Sequence, residues 1–185
     1  MKTEIEKYSP CPEAIEFRNQ FDTFEEAWNS CPRGDWMLWI AQKVGVNIHP
    51  LTYTKALCAE TVIHLMKDER SINAIKVAKR FGKYKATAEE LAKAADDALG
   101  ANAAYTAYTD ATYAAWVAAG AAYNNAWVVA DYAAYAAYAA GAAFAAAFAS
   151  GAAARKSNQL LTANICRKYL TKLVLKKLPK HKTET

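Results

Sequence analysis

About half of the residues between Ala101 and Ala154 are alanine, and that stretch constrains the fold more than any other feature of the chain. Alanine is the strongest helix former and offers little side chain to bury. A helix built from it gains stability only if another backbone comes close. The aromatic residues here recur at helical intervals. Tyr113, Trp116, Gly120, Tyr123 and Trp127 step by three and four, a heptad-like stripe. Tyr132, Tyr135 and Tyr138 step by three, and Phe144 and Phe148 follow. Low complexity here therefore reads as close-packed helix rather than coil. Alanine and glycine let two axes approach nearer than the usual separation of about 8–10 Å, while the rings fill the seams.

The remaining chain also reads as helical. Residues 1–66 form an aromatic-rich lobe containing Phe17, Phe21, Phe24, Trp28, Trp36, Met37, Leu38, Trp39 and Ile40. Asp22 and Thr23 are N-cap candidates for a helix over Phe24–Asn29, and Pro32, Arg33 and Gly34 break it. Asp35 is read as the cap of a helix over Trp36–Val44, stopped at Gly45. Ile48, His49 and Pro50 read as a turn before a third helix, about Tyr53–Met66. Ser71–Phe81 is the next helix, ended by Gly82. Thr87 and Glu90 fit a capping box that opens a helix towards Leu99, and a last helix covers Asn158–Leu178 before Pro179. The expectation is an all-α bundle. Its closely packed alanine-rich helices, residues 67–185, continue from the N-terminal lobe as one fold.

Charge and cysteine content narrow the function classes. Twenty-three Lys and Arg against eighteen Asp and Glu give a net charge of +5, too mild for a nucleic-acid arm. Much of the excess lies between Arg167 and Lys182, read as a solvated helix face and frayed end, with anion binding as the alternative. Cys11, Cys31, Cys58 and Cys166 are far apart and form no CxxC, which fits a reducing, cytoplasmic setting. The polar start lacks the apolar core of a signal peptide. Tyr132–Ala154 is long enough to span a bilayer and carries no charge. Alanine gains little from lipid, however, and the tyrosines crowd one end, so a buried bundle helix is the better reading.

No chemical signature stands out. Cys58 and His64 are six apart and point to different faces of one predicted helix, which reads as a small buried thiol and a half-exposed imidazole. No HExxH, phosphate loop or nucleophile elbow is present, so neither a metal nor a cofactor is expected. Asp110 reads as a helix cap. Asp131 is either a cap that restarts a helix or a buried acid needing a partner. Asn124 and Asn125 either mark a break or line a polar pocket between helices.

One resemblance adds to this reading. The run KDERSINAIKVAKRFGKYKATAEELAKAADDA, followed by DATYAAWVAAGAAYNNAWVVADYAAYAA, resembles the alanine-rich helical immunity-protein family over roughly Lys67 to Ala149. Asp68 and Arg70 match its acid-x-Arg start, Gly82 its connector and Gly120 its central glycine. Family members often carry histidine near that glycine and further along the same helix, where this chain has Tyr123 and Tyr132. The lobe before Lys67, with its DWMLWIA segment, is similar to extensions found in phage and mobile-element versions. The resemblance implies neutralisation of a toxic or defensive activity by binding, with no reaction.

Two targets fit. One is an anionic nucleotide-derived immune signal, sequestered as a phage-type sponge would do it. The other is a toxin or defence effector protein, bound and inhibited. For the first, the ligand-binding residues read from the sequence are Trp36, Trp39, Lys67, Arg70, Trp116, Tyr123, Asn124 and Trp127: rings to stack on bases, an amide, and cations for phosphate. The reading carries no DNA duplex and no membrane among the partners, no catalytic or metal-binding residue, and a homo-oligomer as the particle.

Overall fold

The computed structural model describes residues 4–61, 63–65, 69–104 and 152–178. Every regular element among them is helical: α1 (Pro12–Arg18), α2 (Phe24–Ser30), α3 (Gly34–Lys43), α4 (Ile48–Glu60), α5 (Glu69–Gly82), α6 (Ala88–Ala104) and α7 (Ala152–Lys177), with 3-10 turns at Glu6–Tyr8 and Ile63–Leu65. The all-α bundle expected from the sequence is what forms. Most of the alanine-rich stretch, with Asp110, Asp131, Asn125 and the stripe from Tyr113 to Trp127, lies outside the described residues. So do Tyr132 to Phe148 and the tail beyond Leu178.

The capping signals work locally. Thr23 accepts from the Glu26 amide at 3.1 Å, and Glu26 accepts from the Thr23 amide at 3.0 Å. Thr87 and Glu90 reciprocate in the same way at the start of α6. These boxes satisfy amides that a first helical turn leaves unpaired. Thr23→Ala is expected to cost about 1 kcal/mol, seen as a fall of about 2–4 °C in the thermal midpoint.

Several boundaries differ from the sequence reading, among them the start of α7, six residues earlier than Asn158, and three near the N-terminal lobe. Residues 48–50 are the first turn of α4 rather than a turn before it. Asn47 is the N-cap, and Pro50 sits where its missing amide would have no helical partner. α3 starts at Gly34, and Asp35 is inside it with its carboxylate on the Arg33 guanidinium, Nε to Oδ1 2.8 Å. α4 stops at Glu60, so the exposed His64 belongs to the following 3-10 turn while Cys58 stays buried.

The end of α5 is the most informative departure. Gly82 is the last helical residue, not the residue that turns the chain away. The amide of Tyr84 bonds to Phe81 O at 2.9 Å and that of Lys85 to Arg80 O at 2.8 Å. This is the Schellman pairing, which places Tyr84 at the position usually held by glycine. Tyr84 has φ 58°, a left-handed conformation that costs a residue with a Cβ about 1–2 kcal/mol. Gly82 serves packing instead. A Cβ there would lie 2.8 Å from the Tyr53 Cα, so its hydrogen lets α5 touch α4.

α7 is the hub of the fold. Thr162, Cys166, Leu170 and Val174 recur every fourth residue and are fully buried, with Ala163 and Leu178 beside them. The stripe packs on α3, α4 and α2, while α5 lies between α4 and α6. The packing of α7 on α3 and of α5 on α4 joins residues from both sides of the 66/67 division. Arg167, read from sequence as part of a solvated basic tail, donates to Cys31 O at 2.7 Å and so closes the C-terminal end of α2. Trp28 N–H donates to Thr171 Oγ1 at 2.8 Å. Among the described residues Lys168, Lys172, Lys176 and Lys177 are the solvated members of that tail.

Candidate functional site

Two surface regions combine rings with cations. The first is an apolar hollow in the N-terminal lobe, of about 420 Å³ including its open mouth. α1, α2 and α3 wall it with Phe17, Phe24, Trp28, Trp36, Trp39 and Met37, and Ile5 reaches in from the N-terminal segment. The rings meet at tilted angles, Phe17 to Trp36 at 5.9 Å and Phe24 to Trp28 at 6.1 Å. Such geometry suits the ring quadrupoles better than a face-to-face sandwich.

The polar groups around this hollow are already engaged. Arg18 is buried, bonded to Glu4 at 2.7 Å and to Phe21 O at 2.7 Å. Arg33 lies over the Trp36 ring at 4.6 Å, and its charge is paired with Asp35, whose carboxylate pushes the arginine pKa up. The Cys31 thiol is pushed up to about 11 by burial, so it stays protonated and unreactive. The hollow can take an aliphatic or aromatic group. Among the described residues it offers a phosphate no open cation.

The second region does not follow from the sequence reading. His49 and Tyr53 lie one turn apart on α4, on one face. The end of α5 brings Phe81 and Tyr84 onto His49, with ring centroids at 4.3 Å and 3.9 Å. The His49 ring nitrogen Nδ1 is 2.9 Å from Phe81 O, which orients the imidazole. α7 adds Tyr169, edge-on to Tyr53 at 5.3 Å. Lys83 Nζ lies 5.0 Å from the Tyr53 ring and Lys168 Nζ 5.4 Å from that of Tyr169. Tyr84 is 71% exposed and Tyr169 36%. Lys83, Lys85 and Lys168 are exposed, and none is ion-paired with a described residue.

Nearby acids are taken up elsewhere. Lys79 holds Glu60 at 2.6 Å, and Arg80 holds Glu90 at 3.2 Å. The Thr87 amide is the main cause of the lowered Glu90 pKa. The face is therefore a strip of rings edged by uncommitted ammonium groups, the combination that attracts stacked, anionic ligands.

Of the sequence-derived site residues, Trp36 and Trp39 are brought together in the N-terminal hollow. Arg70 is exposed in the first turn of α5. Lys67, Trp116, Tyr123, Asn124 and Trp127 lie outside the described residues. The tyrosine strip left one trace in the sequence, the alternation Phe81, Lys83, Tyr84, Lys85 around Gly82. Its other members arrive only through packing, from α4 and from α7.

Among the described residues no group of three His, Cys, Asp or Glu is placed to hold a metal ion, and no helix is long and apolar enough to cross a membrane. Compared with family models, with curated proteins and with solved structures, the chain matches none.

Proposed function

We propose that this protein acts by binding without turnover, as a phage-type anti-defence sponge that sequesters an anionic nucleotide-derived immune signal in the host cytoplasm. The observation that carries this reading is the strip of Tyr53, Tyr84 and Tyr169 edged by Lys83 and Lys168, with the exposed Lys85 next to Tyr84 in the chain. Rings supply stacking energy that tolerates any base, and lysines supply charge for phosphate. The resemblance to the immunity-protein family points the same way, towards neutralisation by capture. Leu160, Leu161 and Leu173, exposed on α7, support a homo-oligomer as the particle, since a second copy would cover apolar surface of this kind.

Calorimetric titration with a panel of cyclic and linear nucleotides tests the reading, with light scattering to give the mass. The expected result is saturable binding that weakens between about 50 and 200 mM salt, roughly in proportion to the phosphates engaged. Heat denaturation should release the nucleotide chemically unchanged in a mass spectrum. Silence across the whole panel, or a processed product after heating, would remove the proposal.

A second reading has its own support. The hollow lined by Trp36 and Trp39 has the form of an anchor pocket for an apolar side chain of a partner protein. On that reading the protein is an immunity protein that binds and inhibits a toxin or defence effector. Trp36→Ala should then abolish co-purification of the partner while leaving nucleotide titrations as they were.

A further inference from the structure

We infer that Tyr84 is the stacking platform for one base of the ligand and the Tyr53–Tyr169 pair the site for a second, so that the face selects a linked dinucleotide over a mononucleotide. This rests on the nucleotide reading above and deepens it.

The starting observation is the strained cap. Tyr84 occupies the left-handed position of a Schellman ending, where glycine or asparagine would fit without strain. A bulky residue held there needs a compensating interaction, and such outliers concentrate at ligand-binding surfaces. Among the described residues the Tyr84 ring lies tilted against His49 at 3.9 Å, and it remains 71% exposed. His49 is itself backed by Phe81 at 4.3 Å and fixed by its bond to Phe81 O. The fold therefore holds a tyrosine ring out to solvent on a rigid support.

Charge complementarity selects the occupant. Lys83 and Lys85 flank Tyr84 in the chain, and neither is ion-paired with a described residue. Glu60 and Glu90 are held by Lys79 and Arg80. A flat, uncharged aromatic ligand would leave the ammonium groups unused, and an acidic peptide would leave the rings unused. A nucleotide uses both.

The second platform follows from helix geometry. His49, which carries Tyr84, and Tyr53, which meets Tyr169, are four residues apart on α4, so the two ring pairs are anchored one helical turn apart on one face. Lys83 follows Gly82 towards Tyr84 in the chain and puts its ammonium 5.0 Å from the Tyr53 ring, so it serves both ring pairs as the cation for a linking phosphate.

The test titrates wild-type protein with the 5′-phosphorylated dinucleotide pApA, cyclic di-adenylate, AMP, inorganic phosphate and an oligoglutamate peptide. Tyr84→Gly, Tyr84→Asn and Tyr84→Trp are then titrated alongside. Dinucleotides should bind more tightly than AMP, and phosphate and oligoglutamate should bind far more weakly still. Tyr84→Gly and Tyr84→Asn should weaken dinucleotide binding roughly 5- to 150-fold, with thermal midpoints unchanged or raised by about 2–4 °C through strain relief. Tyr84→Trp should restore binding.

Equal binding by Tyr84→Gly and wild type overturns the inference while the sequestering function stands. So does AMP binding as tightly as pApA, which removes the second base site. A fall of more than about 5 °C in both small variants would make Tyr84 a structural residue and also overturn the inference. Oligoglutamate binding as well as the dinucleotides would make the face a protein-docking surface instead. No binding of any nucleotide by the wild type would fell the sequestering function together with this inference.

Discussion

Lys55→Met should raise the unfolding free energy by about 2 kcal/mol at pH 7, the reverse of what most core substitutions do. The Lys55 side chain is 1% exposed, and its ammonium donates to Gln42 Oε1 at 3.1 Å. An amide oxygen carries no compensating charge, so burial pushes the lysine pKa down from 10.5 to about 8. At about 1.36 kcal/mol per pH unit, that drop corresponds to a cost of about 3 kcal/mol to the charged form. Methionine matches the length of the stem and removes the charge. It leaves Gln42 without one partner, a loss of about 1 kcal/mol, which brings the gain to about 2.

The pH dependence gives the same substitution a second readout. Below about pH 8 the amine is protonated in both states and its full cost is present. Between about 8 and 10.5 the folded state has released the proton while the unfolded state still holds it. The unfolded state then binds more protons, and the contribution of Lys55 to stability rises with pH across that window. The methionine variant lacks this rise, so the two proteins should converge as pH approaches 10. Urea unfolding at pH 7, 8, 9 and 10 measures it. Parallel pH curves, or a variant less stable than wild type at pH 7, would show that the buried lysine carries no such cost.

Gly34→Ala should act in the opposite direction, lowering stability by about 3 kcal/mol. A Cβ on Gly34 would lie 2.7 Å from the carbonyl carbon of Thr162, in the backbone of α7. A flexible side chain could swing aside; a helix backbone cannot. Separating α3 from α7 would loosen the buried stripe of Thr162, Cys166 and Leu170. It would also strain the Cys166 thiol bond to Gly34 O at 3.6 Å and the Arg167 bond to Cys31 O. The thermal midpoint should fall by roughly 6–12 °C. Adding Thr162→Ala should not rescue it, because the obstructing carbonyl carbon remains. Full rescue by that second change would mean the contact is limited by the threonine side chain.

The elements legible in advance are those whose signals lie within a few residues. Thr23 with Glu26, and Thr87 with Glu90, name their helix starts because the bonds they make are local. The start of α4 is misleading for a related reason. His49–Pro50 looks like a turn, yet a proline in a first helical turn has no bond to lose. Gly82 reads as a helix stop, whereas its lack of a Cβ serves contact with Tyr53 and the stop falls to Tyr84. A glycine has several uses, and nothing adjacent in the chain says which one applies.

The candidate site divides in the same way. Trp36 and Trp39 are legible as paired rings because three residues of helix put them near one face. That Arg33 and Arg18 are paired with Asp35 and Glu4, leaving the hollow no free cation among the described residues, depends on where those carboxylates come to rest. Tyr53, Tyr84 and Tyr169 carry no shared spacing and are gathered from three parts of the fold.

What the order of residues settled was the helical class, the caps and the aromatic character of the first lobe, because propensity, capping and periodicity act over one or two turns. Packing settled the rest. It made the basic final helix the centre of the bundle, closed Arg167 onto α2, and assembled tyrosines and lysines from separate helices into one face. Those outcomes depend on which surfaces exclude water together, and that is a property of helices in contact rather than of neighbours along the chain.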